Sequence, residues 1–128
     1  MNQLPKITDS EWIIMQIVWN DPPHTSSEIM DNLPVNINWR PTTVKTLLSR
    51  LVKKNIVSYE KKNRTYYYYP LLSKEECIRA ESKSFLQNKF GGALKLMIAN
   101  FLEIEDLSDK EIDELKNILD NRKNKERE

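Results

Sequence analysis

Arg40-Pro41-Thr42-Thr43-Val44-Lys45-Thr46-Leu47-Leu48-Ser49-Arg50-Leu51-Val52-Lys53-Lys54-Asn55-Ile56-Val57-Ser58-Tyr59-Glu60-Lys61-Lys62-Asn63-Arg64 sets eight cations against one acid, Glu60. That local excess of +7 stands in a chain whose net charge is +1, so the charge is concentrated rather than spread. Val44, Leu47, Leu48, Leu51 and Val52 recur at helical spacing, which predicts a helix over about 41–54. Pro41 suits its first position, where a missing N–H is no loss. Asn55 then tolerates the left-handed conformation that ends a helix. Ile56 to Lys61 reads as a strand, Lys62-Asn63-Arg64 as a turn and Thr65 to Leu71 as the returning strand. A basic helix followed by a basic hairpin is the footprint of a winged helix-turn-helix.

Upstream, two shorter segments complete such a domain. Thr8-x-x-Glu11 and Thr25-x-x-Glu28 have the capping-box spacing, in which each side chain satisfies the other residue's free backbone N–H. The first opens a helix over about 9–20 that is apolar on most sides (Trp12, Ile13, Ile14, Met15, Ile17, Val18, Trp19) and stops at Asp21-Pro22-Pro23. The second opens a short helix over about 26–33, with Ile29, Met30 and Leu33 facing inward. In the returning strand Tyr66 and Tyr68 share one face and Tyr67 and Tyr69 the other, one pair in the core and one partly exposed. Pro70 limits further ladder pairing.

Downstream of Ser73 the chain turns all-helical. Ser73-x-x-Glu76 opens a helix over about 74–90, which Gly91-Gly92 breaks; a second covers about 93–103. Ser108-x-x-Glu111 opens the last, over about 109–121, followed by a charged tail, Asn121–Glu128, expected to fray. The expected architecture is mainly α: residues 1–72 form three helices and a small β-hairpin wing, and residues 73–128 form a C-terminal three-helix dimerisation domain. Roughly 55 residues in three amphipathic helices bury little surface alone. Phe85, Leu94, Met97, Ile98, Phe101, Ile112, Leu115, Ile118 and Leu119 therefore pack either back on the first domain or against a second copy. A two-fold homodimer is the expected solution, because one patch then serves both chains.

Composition bounds the function. No apolar run approaches the ~18–20 residues of a membrane span, and the N-terminus lacks the apolar stretch of a secretory signal. The single Cys77 rules out an internal disulfide and fits a reducing cytoplasm, the expected location. The two glycines stand together at Gly91-Gly92, so there is no glycine-rich phosphate loop. Residues 1–72 carry a net +3 and residues 73–128 a net −2, which points to nucleic acid at the first part and protein contacts at the second.

Duplex DNA offers phosphates for affinity and base edges for sequence. Thr42, Thr43 and Thr46 carry a hydroxyl for a base or phosphate and a methyl for thymine. Lys45 reaches guanine acceptors or a phosphate. Arg50 presents a fork that suits guanine or the backbone. Base contacts are expected from Thr43, Lys45 and Thr46. Arg40 and Lys53 extend the basic surface. Lys61, Lys62 and Arg64 at the hairpin tip are placed for phosphates or the minor groove. Lys53 and Lys54 equally suit the negative end of the helix dipole.

The chain resembles the penicillinase repressor family, the BlaI/MecI group. The resemblance rests on Ser10-Glu11-Trp12-x-x-Met15-x-x-Val18-Trp19, on Pro41-Thr42-Thr43-Val44-Lys45-Thr46-Leu47-Leu48-x-Arg50-Leu51-x-Lys53-Lys54 and on Tyr66-x-Tyr68-Tyr69. Gly91-Gly92, Ala99-Asn100-Phe101, Leu107-Ser108 and Glu111-Ile112-x-Glu114-Leu115 extend it over nearly the whole chain. Asn55 departs from the family's usual Gly and can adopt the same backbone conformation. The resemblance implies a homodimeric repressor on a double-stranded palindromic operator of a β-lactamase or penicillin-binding-protein operon. It also implies a membrane β-lactam sensor-transducer metallopeptidase that triggers cleavage, with Asn100-Phe101 matching the family's cut bond.

Other classes fare less well. Copper-responsive relatives cluster cysteines in the C-terminal part, and here only Cys77 occurs, so no metal and no cofactor is expected. A ligand-responsive repressor of the multiple-antibiotic-resistance type, left uncut, is the nearest alternative. An enzyme needs a reacting constellation; the sole histidine, His24, lies beside Pro22-Pro23 in an expected loop, and no catalytic spacing accompanies it.

Overall fold

Each capping-box sequence closes in both directions in the computed structural model, which describes residues 4–127. The Glu11 N–H donates to Thr8 Oγ1 at 3.2 Å while the Thr8 N–H donates to Glu11 Oε1 at 2.9 Å. The pairs Thr25/Glu28, Ser73/Glu76 and Ser108/Glu111 repeat the arrangement. They start α1 (Asp9–Val18), α2 (Ser26–Asp31), α4 (Lys74–Phe90) and α6 (Asp109–Arg127). Between them lie α3 (Pro41–Lys53), β1 (Val57–Lys62), β2 (Thr65–Pro70) and α5 (Leu94–Ile104).

The chain divides into two compact units, one up to Ser82 and one from Lys83. The division falls inside α4, because its first turns belong to the N-terminal unit: Cys77 is buried in that unit's core. The core is built on α1, whose Ile14, Met15 and Val18 are wholly buried, with Ile29 from α2 and Val44, Leu48 and Leu51 from α3. Trp19 packs on its edge and donates its indole N–H to the Leu72 carbonyl oxygen at 2.9 Å, tying the end of α1 to the segment before α4.

The end of α3 follows from one residue. Asn55 has φ 61°, and its N–H donates to the Val52 carbonyl while that of Ile56 donates to Leu51, both at 3.0 Å. This is the Schellman arrangement, which satisfies the carbonyls a helix end leaves free. It also delivers Ile56 and Val57 into the core and launches β1.

β1 and β2 pair antiparallel from Val57↔Pro70 to Lys62↔Thr65. The loop is shorter than the three residues expected: Lys62 pairs in the ladder and only Asn63-Arg64 remain, with Asn63 taking φ 61°. A two-residue hairpin needs such a left-handed position, which Asn supplies. The other edge of β2 is bridged by His24, whose N–H and carbonyl both bond to Tyr68 at 2.9 and 2.8 Å. The tyrosines do not divide into a core pair and an exposed pair. Tyr68 alone packs against the core, and Tyr59, Tyr66 and Tyr68 form one cluster whose stacked members, Tyr59 and Tyr66, lie 4.7 Å apart.

In the second unit Gly91 and Gly92, both at positive φ, end α4. Phe85, Phe90 and Phe101 form a ring cluster with centroids 5.8–6.5 Å apart. None of the described side chains from Lys83 to Lys125 is buried. The tail expected to fray is instead helical through Arg127, since residues 122–127 hold no Gly or Pro and, apart from Asn124, are good helix formers. Among the described residues no helix is long and apolar enough to cross a membrane.

Candidate nucleic-acid interface

α3 is two-sided. Val44, Leu47, Leu48 and Leu51 anchor one side in the core, so Thr42, Thr43, Lys45, Thr46, Ser49, Arg50 and Lys53 are exposed on the other. Arg40, the N-cap, is exposed too and makes no capping bond with its side chain. The hairpin adds exposed Lys61, Lys62 and Arg64. All ten basic and threonine positions expected to bind DNA therefore reach solvent. Among the described residues, none of their cations is paired with a carboxylate.

The structure sorts these residues into groups. Thr42, Thr43, Thr46 and Arg50 line a shallow depression of about 240 Å³ together with Leu47. Lys45 and Arg64, far apart in sequence, line one groove of about 470 Å³ between the start of α2, the exposed side of α3 and β2. Lys61 and Lys62 are steered by aromatic faces: their ammonium groups lie 5.6 and 5.7 Å from the ring centres of Tyr66 and Tyr67. Arg40 and Lys53 join neither concavity.

The groove also holds Ser49, one turn beyond Lys45 on the same side of α3, together with Ser26, Ser27 and Thr65, hydroxyl residues that local spacing does not single out. The last three meet Lys45 only because α2 and β2 flank α3. Hydroxyls beside unpaired cations suit phosphate oxygens, which accept from both. One acid intrudes: Asp31 shares a neighbouring depression of about 230 Å³ with Lys45, Ser26 and Ser27.

Lys54 differs from its neighbours. It donates to Glu11 Oε1 at 2.6 Å and to the Lys6 carbonyl at 2.9 Å. Glu11 is wholly buried, and its Oε2 has no partner among the described residues. Burial pushes the Glu11 carboxyl up, but Lys54 and the Thr8 N–H outweigh that and hold it below its ordinary value. Burial, then neighbouring Glu76, pushes the Cys77 thiol up, which keeps it in the unreactive protonated form.

The geometry has counterparts among known proteins. The description "Penicillinase repressor" belongs to the family profile that matches residues 7–121. A penicillinase repressor of Bacillus licheniformis is 35% identical over 128 residues, all of both chains. The methicillin resistance regulatory protein MecI of Staphylococcus aureus is 34% identical over 118 residues, 92% of this chain and 96% of that one. Among solved structures, the DNA-binding domain of the repressor BlaI is similar at a TM-score of 0.52 and 29% identity, over 59% of this chain and 93% of that one. The monomeric form of Bacillus licheniformis BlaI, solved in complex with the blaP half-operator, is similar at 0.50 with the same identity and coverage. With a winged helix-turn-helix head, an exposed cationic face and a match that runs nearly from end to end, this chain belongs to the penicillinase repressor family.

Proposed function

We propose that this chain is a cytoplasmic, non-enzymatic, homodimeric repressor that binds a palindromic operator of β-lactam resistance genes. The observation that carries it is the exposed face of α3 and its wing, where the cations stand free of carboxylates beside hydroxyls. α3 enters the major groove, with Thr43, Lys45 and Thr46 at base edges and Arg50 on a base or the backbone; Arg40, Lys53, Lys61, Lys62 and Arg64 hold phosphates. The half-operator complex of the similar BlaI supports duplex DNA as the ligand.

The second unit supports a twofold partner. Phe85, Leu94, Ile98, Phe101, Ile112, Leu115, Ile118 and Leu119 are exposed there, and Met97 is only half-buried. Each Leu, Ile or Phe buried against a second copy contributes on the order of 1.5–3 kcal/mol. Two joined heads then grip half-sites about 34 Å apart.

Release follows from cutting the arm at Asn100-Phe101, triggered by a membrane β-lactam sensor-transducer metallopeptidase. Both residues are exposed in the middle of α5. A protease takes an extended segment, so part of α5 must unwind first. Its start, Ala93, has no side-chain cap, and none of its residues is buried, which keeps local opening inexpensive. The cut separates α6 from the rest, the dimer weakens, and an avidity of roughly 10²–10⁴ disappears.

Footprinting with the purified chain on the promoters of adjacent resistance genes tests the DNA-binding part. Protection of a symmetric site, absent on a scrambled duplex, is the expected result; equal binding to both overturns it. Mass spectrometry of the chain from β-lactam-treated cells tests release. Fragments ending at Asn100 are expected, whereas an intact chain displaced by a soluble compound would establish the ligand-responsive alternative.

A further inference from the structure

The hydroxyl of Thr46 donates to the carbonyl oxygen of Thr42, one turn back in α3, at 2.9 Å. A threonine hydroxyl has one proton, so this donor is committed within the helix. What Thr46 still offers is its methyl group and an oxygen lone pair. The residue is exposed, and it shares its depression with Leu47, a side chain only 5% exposed.

Those properties discriminate among base pairs. Guanine presents two acceptors in the major groove, N7 and O6, which need a donor that Thr46 does not have free. An amino donor for the lone pair stands on adenine and cytosine alike, so it does not discriminate; the thymine C5-methyl group, for apolar contact, is offered by A·T pairs alone. We infer that Thr46 is a specificity-determining residue that selects an A·T pair by contact between its methyl group and that of thymine, above Leu47. The inference rests on the operator-binding reading and adds which base it selects.

The full-length protein is used to enrich duplexes from a random-sequence pool. Each thymine in one half-site of the enriched duplex is then replaced by deoxyuridine, which removes only the methyl group. At one position the wild type is expected to lose roughly fourfold in affinity, the worth of one buried methyl group. Thr46→Val keeps a methyl, lacks the hydroxyl and retains this discrimination. Thr46→Ser keeps the hydroxyl, lacks the methyl and binds the thymine and uracil duplexes equally. Indifference of the wild type to uracil at every position, or undiminished discrimination by Thr46→Ser, overturns the inference while leaving operator binding intact. Failure to enrich any duplex overturns both.

Discussion

The ammonium of Lys54 and the carboxylate of Glu11, 43 residues apart in sequence, meet at 2.6 Å and join the end of α3 to the first turn of α1. The same oxygen, Oε1, also caps α1 through the Thr8 N–H. A buried group thus serves helix initiation and helix placement together. The Lys54 side chain is 30% exposed and that of Glu11 not at all, so removing Lys54 leaves a buried carboxylate whose lost partner was itself partly hydrated. Lys54→Met is therefore expected to destabilise the fold by about 2 kcal/mol, between the costs of exposed and buried pairs. Chemical denaturation measures this directly, and a loss below about 1 kcal/mol, the range of exposed pairs, would show the pair to be ordinary surface chemistry.

Acid should release the same clamp. The Glu11 carboxyl is held below its ordinary value of 4.5 in the folded chain. A depressed folded value means that the stabilisation is present above that ordinary value and is lost as pH falls through the depressed one. Melting temperatures of the wild type and Glu11→Gln are expected to differ at neutral pH and to converge below pH 4.5. A constant difference across that range would contradict the assignment.

Lys53 and Lys54 should part company in salt titrations. Removing one lysine that neutralises a phosphate lowers the slope of log K against log salt by about one unit. Lys53→Ala and Lys61→Ala are expected to lower it so, on any duplex. Lys54→Ala weakens binding through misplacement of α3 and leaves the slope unchanged.

Asn55 offers a backbone test. At φ 61° a side chain with a Cβ and no local hydrogen bonding is disfavoured, by about 1–2 kcal/mol. Asn55→Ala should destabilise by about 1 kcal/mol, and Asn55→Gly should leave stability equal or higher. A neutral Asn55→Ala in denaturant melts would argue against the Schellman ending.

Leu115→Asp places a charge in the exposed apolar surface of α6. Sedimentation is expected to show a monomer where the wild type is a dimer. Its affinity for a single half-site should be retained, while binding to the symmetric operator falls steeply. An intact dimer would move the interface elsewhere on the arm.

Legibility of the fold in the sequence divides by distance along the chain. The four capping boxes and the Asn55 ending depend on residues within a few positions of each other, and each is found as spacing predicts. The two-sided character of α3 is legible for the same reason. The Glu11–Lys54 pair is not, because Glu11 already has a sufficient local role and nothing in spacing marks a partner so far away. The His24–Tyr68 bridge escapes likewise: one bridged residue after two prolines carries no strand periodicity. Of the interface, the cations are legible from charge alone. The hydroxyls of Ser26, Ser27 and Thr65 are not, since only packing of α2 and the hairpin around α3 assembles them.

An arm in which none of the described side chains from Lys83 to Lys125 is buried would, in the proposed repressor, tie promoter control to copy number. Where folding of the arm and pairing are one equilibrium, the folded fraction depends on how many chains the cell holds. If the arm is cut as proposed, halving the pool then removes more than half of the paired molecules. In the proposed repressor, silencing would give way over a narrow range of dose, and a modest amount of cutting would be enough to switch transcription on.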